Sequence, residues 1–136
     1  MTIFQWEPKL ELGIDLIDQQ HKQLLSYANS FFIQHCSGNA QQSARESIAF
    51  LQQYILYHFQ AEEAFQVECS YPSYRSHQAQ HSFLAMQVKA HQVRLEASDF
   101  APDSIEAFYR FFMGWISNHI MEDDLAFALF YKAHKG

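Results

Sequence analysis

The chain has 136 residues, 49% of them hydrophobic, and its 15 acidic against 9 basic side chains give a formal charge of −6. That length and composition suit one ordinary domain with a real core, expected to span residues 1–136. No Lys/Arg cluster offers a track for phosphates, which argues against a nucleic-acid partner. The opening "MTIFQWEPKL" lacks the charged start and apolar run of a signal peptide, and no stretch approaches the roughly 20 apolar residues of a membrane span. A cytoplasmic protein is expected.

With only 4 glycines and 3 prolines the chain has long uninterrupted stretches, which favours helices over a many-turned β fold. An N-terminal arm, 1–14, carries Phe4 and Trp6. The first predicted helix covers about 15–35, with an inward stripe of Ile14, Ile17, His21, Leu24, Ala28 and Phe31. The turn "CSGN" separates it from a second helix, about 41–67, whose stripe is Ala44, Ile48, Leu51, Ile55, His58, Glu62 and Phe65. After "CSYPS" comes a third, about 74–97, with Tyr74, His77, His81, Leu84, Val88, His91 and Leu95 inward. After "SDFAPDS" a fourth, about 103–131, turns Ile105, Phe108, Phe112, Trp115 and His119 inward, with Ala126 and Phe130 beyond.

Short connections make neighbouring helices antiparallel, so the fold class is all-α, an up-down-up-down four-helix bundle with an N-terminal arm. In that topology the start of the first helix, the end of the second, the start of the third and the later part of the fourth share one end. His21, His58, Glu62, His77, His81, His119 and Asp124 therefore meet at one level of the core, and polar residues on a core seam need partners. His58 with Glu62, and His77 with His81, are four apart and project from one helix face on adjacent turns, which is metal-ligand spacing. Imidazole with carboxylate suits iron better than calcium or magnesium, and the lack of thiolates argues against structural zinc.

Two irons sharing Glu62 and Asp124 as bridging carboxylates, with one bridging solvent oxygen, have three bridging bonds each. Five histidines then complete the shells as three and two, leaving one position open for a small ligand. Two carboxylates and one hydroxide against two ferrous ions leave about one positive charge, tolerable in an apolar pocket. In "HIMEDD" the residue four after His119 is Asp123, while Asp124 is five after and about 140° round an α-helix. Periodicity alone favours Asp123.

The stretches "GIDLIDQQHKQLL", "HFQAEEAF", "YPSYRSHQAQHSF" and "WISNHIMEDD" closely resemble the bacterial hemerythrins, in a pattern of His, HxxxE, HxxxH and HxxxxD running through nearly the whole chain. The resemblance implies a non-haem di-iron centre with a bridging oxo or hydroxo group and O2 as ligand. By the same resemblance His77, His81 and His119 hold the closed iron, His21 and His58 the open one, and Glu62 and Asp124 bridge, so the family pattern selects Asp124. Leu24, one turn after His21, and Ile116, one turn before His119, are expected to face bound oxygen, an apolar wall that excludes water and protons; ordinary core packing explains them equally well.

His35, His91 and His134 stand apart and read as structural or exposed: His35 is about 21 Å along the helix from His21, and His91 about 15 Å from His81. Phe108, Phe111, Phe112 and Trp115 read as core, with Trp115 close enough to His119 to shape the pocket. Glu63 and Asp123 flank ligands, where acceptors can orient imidazole rings, but a solvated surface position is the expectation for both. Cys36 and Cys69 are expected at opposite ends of the molecule as free, inert thiols.

The implied function is reversible oxygen binding for storage or delivery within the cell, for instance to an oxygen-consuming enzyme or membrane oxidase. The alternatives are an oxygen or redox sensor working through a separate partner protein, and an enzyme acting as a peroxidase, an oxidase or a nitric-oxide-handling protein. No general acid or base beyond the ligands stands out on the inward stripes, so an enzyme is not expected, weak peroxidase or oxidase activity aside.

Overall fold

Gly13 turns the arm into the first helix at φ +87°, a left-handed value that a side chain would resist. The Asp18 carboxylate accepts the Gly13 N–H at 3.1 Å and ties this turn to helix α1, Asp15–Cys36. In the structure, a computed structural model, residues 6, 8, 11, 13–116, 118 and 125–134 are described. Helix α1 ends in a Schellman turn, with Gly38 at φ +83° and the Asn39 N–H reaching back to the Gln34 carbonyl at 3.0 Å.

Helix α2, Ala40–Tyr54, passes through one π-helical turn, Ile55–Phe59, into α3, Gln60–Glu68. Helix α4 is Tyr74–Ala97, and α5 is Pro102–Trp115, with proline in its first turn where no N–H is needed. Helix α6 is Leu125–His134. Strands are absent among the described residues.

Side-chain contacts fix the directions. The beginning of α1 meets the π turn through His21 and His58, and its end meets the start of α5 through His35 and Glu106. The π turn and α3 pair with the beginning of α4, Phe59 and Glu62 against His81, while the middle of α4 meets α5 through His91 and Phe111. Consecutive long helices therefore run antiparallel, and Cys36 and Cys69, both free thiols, lie at opposite ends.

The core has two parts. The larger holds Leu24, Ala28, Phe31, Leu51, Phe108 and Phe112, all fully buried. The smaller closes the other end with Ile14, Ile17, Phe127 and Ala128. Between them, on the same helix faces, sits the polar layer of His21, His58, Glu62, His77 and His81, at most 3% exposed. Trp6 of the arm packs against the larger cluster, with the Lys22 ammonium over its ring at 5.1 Å. Phe4 lies outside the described residues.

One stripe is out of phase. Ala126 is exposed, and Phe127 and Ala128 are the buried residues there, with Phe130 half-buried against Tyr71. Counting in threes and fours from α5 does not reach α6 in register; the Phe127 ring packs on Tyr71 at 5.0 Å between centroids, which sets the phase of α6.

Candidate metal centre

Glu62 is the centre of the polar layer. Its carboxylate is fully buried, and each oxygen faces two imidazoles: Oε2 lies 3.4 Å from Nε2 of both His21 and His58, and Oε1 lies 3.2 Å from His77 Nε2 and 3.3 Å from His81 Nε2. Neither oxygen is aimed along a hydrogen bond to any described residue. Burial pushes this carboxyl up, yet the charge of His58 and the contacts with His21, His58 and His81 outweigh it and hold the group well below the usual carboxylate range. An ionised carboxylate in a dry core demands cations beside it.

The geometry divides the donors into two triads, His21, His58 and Glu62, and Glu62, His77 and His81, with the donor atoms of each within 4.8 Å of one another. His21 Nε2 and His58 Nε2 stand only 3.1 Å apart. Donors about 2.1 Å from a shared cation and at right angles to it stand about 3 Å apart, so the spacings from 3.1 to 3.4 Å match neighbouring ligands of a common ion. One carboxylate, with one oxygen in each triad, is the arrangement of a bridge between two metals. The nitrogen and oxygen donors without thiolate suit iron.

The far side of each ring explains why the Nε2 atoms point inward. His58 Nδ1–H donates to Gln20 Oε1 at 2.7 Å, and His81 Nδ1–H donates to Glu63 Oε2 at 2.7 Å. The Gln66 side-chain amide nitrogen lies against His77 Nδ1; turning that amide by 180° would put its carbonyl oxygen there as an acceptor for the ring proton. An acceptor at Nδ1 leaves the Nε2 lone pair free for a metal and fixes the ring's rotation. Aromatic rings hold the planes: Phe59 stacks on His81 at 3.8 Å and 7°, and Tyr54 on His58 at 4.4 Å and 23°. The π turn carries both His58 and Phe59; such turns recur at functional sites because the extra residue re-aims side chains.

Glu63 thus corrects the expectation of a solvated surface residue. Its side chain is 20% exposed and its carboxylate is committed to His81. Gln20, Gln66, Tyr54 and Phe59 were not singled out from sequence. The signal for Gln66 was its place four residues after Glu62, on the face already carrying His58; Gln20, beside His21, sends its amide across to another helix and had none. Leu24 and Ile116 are fully buried in the larger cluster. His119, Asp123 and Asp124 lie outside the described residues. His35 and His91 are remote from the layer, His35 donating to Glu106 at 2.7 Å and His91 stacking on Phe111 at 4.8 Å.

The pattern that defines the Hemerythrin HHE cation binding domain matches residues 12–130. The chain belongs to the hemerythrin family. Among relatives named Bacteriohemerythrin, the protein of Stenotrophomonas maltophilia is 31% identical over 98% of this chain and 85% of its own length. That of Pseudomonas aeruginosa is 29% identical over 93% and 80%, and that of Clostridium acetobutylicum 27% over 90% and 96%. The hemerythrin family is one of non-haem iron, oxygen-binding domains that are in general not enzymes, and the buried His/Glu cluster here fits such an iron site. No helix among the described residues is long and apolar enough to cross a membrane.

Proposed function

We propose that this hemerythrin-family chain binds molecular oxygen reversibly at a non-haem di-iron centre, for storage or delivery in the cytoplasm. The observation that carries the reading is Glu62, one ionised, fully buried carboxylate with a pair of imidazoles against each oxygen. In this reading His21 and His58 hold one iron, and His77 and His81, with His119, hold the other. Glu62 and Asp124 would be shared between the two ions, with an oxo or hydroxo group completing the centre. The chemistry that such a pair supplies when bound is the reversible transfer of electrons to dioxygen.

The chain's own residues set the terms of that chemistry. Gln20, Gln66 and Glu63 lie against the Nδ1 sides of three imidazoles and fix the rotation of those rings. Glu62 offsets positive charge in the dry core. Leu24 and Ile116, fully buried, keep water and protons from the oxygen side. A cleft of about 270 Å³ between α1 and α2 is lined by Gln20, Tyr54 and His58 and gives a small gas an approach to that side.

The test is an anaerobic optical titration of the iron-loaded protein, with iron counted per chain, then exposure to oxygen and purging. Two irons and a visible band that appears and fades are expected. Immediate irreversible conversion to a ferric spectrum would replace this reading with redox sensing or enzymatic chemistry, and one iron or none would overturn the site.

A further inference from the structure

Helix α4 is apolar on two opposite faces. His77, His81, Val88 and Leu95 point into the bundle. About half a turn away, alternating steps of three and four lead from Ser76 through Ala79, Phe83, Met86, Ala90 and Val93 to Ala97, all exposed. Phe83 is 59%, Met86 69% and Val93 54% exposed, the three largest members of the stripe. Three heptads of this period form a seam roughly 32 Å long, the pattern of a helix that pairs with another helix. A groove of about 390 Å³ between α4 and α5, lined by Phe83, Leu84, Phe111 and Trp115, continues the apolar surface on one flank.

We propose that this face pairs antiparallel with α4 of a second copy of the same chain. The flanking charges select that occupant and its register. With Phe83 packed against Met86 of the partner subunit at mid-seam, Ala79 meets the partner's Ala90 and Ser76 meets the partner's Val93 on the layers to either side. The same register sets Arg75 opposite the partner's Glu96, twice by symmetry, and Lys89 opposite the partner's Ser82. Slipping one heptad one way sets Lys89 against the partner's Lys89, and slipping the other way sets Arg75 against the partner's Lys89. A parallel pairing sets Lys89 against the partner's Arg94. Among these four pairings the antiparallel register centred on Phe83 and Met86 is the one without a like-charge clash, and a slip of two heptads would shorten the overlap. A single-helix seam falls in the small interface class, so the dimer dissociates readily, with a Kd on the order of 10 µM.

Sedimentation velocity of the iron-loaded full chain, from about 1 to about 300 µM to bracket that affinity, tests the pairing. A concentration-dependent dimer is expected, and Met86→Glu should abolish it. Arg75→Glu and Glu96→Arg should each weaken it about tenfold by turning two attractions into repulsions, and the double exchange should restore it to within about threefold. These positions are exposed, so iron per chain and helicity should be unchanged in every variant. A chain that stays monomeric throughout, a dimer indifferent to these substitutions, or a double exchange that fails to rescue would each overturn the proposal.

Discussion

Glu63→Ala isolates the contribution of a single ring-orienting contact. The parent bond, His81 Nδ1–H to Glu63 Oε2 at 2.7 Å, is in the short range of charge-assisted hydrogen bonds. Phe59, stacked 3.8 Å away and within 7° of parallel, keeps the imidazole plane but lets the ring slide and rotate within it. Removing the carboxylate therefore frees the rotation that aims Nε2 and lowers the basicity of that nitrogen. Loss of such a contact typically weakens metal affinity 10–100-fold, which is about 1.4–2.8 kcal/mol. Glu63→Gln keeps an acceptor and loses only its charge, so its effect should be under about tenfold. The assay is anaerobic competition for ferrous iron against a chromophoric chelator, alongside thermal unfolding of the metal-free proteins. With the Glu63 side chain only 20% exposed and bonded to buried His81, Glu63→Ala should also cost the metal-free protein about 1–3 kcal/mol, and the chelator competition separates that loss from the loss of iron affinity. If Glu63→Ala held iron to within about twofold of the parent, the claim that Nδ1 acceptors set this site's affinity would be refuted.

Leu24→Ala, at a fully buried position, should cost about 2–5 kcal/mol in urea unfolding and also hasten irreversible oxidation in air; Leu51→Ala, equally buried, should cost as much stability without the oxidation effect. Chelating the iron should lower the unfolding temperature, since ligand groups folded around a metal return binding energy as stability; identical melting of the two forms would contradict the site. For the metal-free protein the sign with pH follows from Glu62, whose folded pKa is depressed. Its contribution is full above the ordinary carboxylate value of about 4.3 and is lost as pH falls through the folded value, so stability should drop in acid. Glu62→Gln should flatten that decline, as read by melting temperature against pH.

Period and punctuation sufficed for much of the bundle. In α1 every residue of the inferred stripe, from Ile14 to Phe31, is buried, because an uninterrupted amphipathic helix has only one way to face a core. The two histidine and carboxylate pairs spaced four apart were legible for the same reason, since spacing fixes which side chains share a face. Antiparallel order then brought His21, His58, Glu62, His77 and His81 to one layer, which needs only short connections. What periodicity did not carry here is the phase of α6 or the rotation of a ring. Phe127 and Ala128 are buried in place of Ala126 because α6 packs its own aromatic face on Tyr71. The π turn at Ile55–Phe59 leaves no mark in the apolar pattern, since its extra residue is absorbed within one turn. The same limit applies to Gln20, Glu63 and Gln66, whose roles depend on which side chain from another turn or helix reaches an imidazole nitrogen. The sequence by itself determined the helices, their order and the inward faces that carry the donors. Only the tertiary structure decided how one carboxylate divides four imidazoles into two pairs, because contacts a few ångströms across are set by packing between helices rather than by spacing along one.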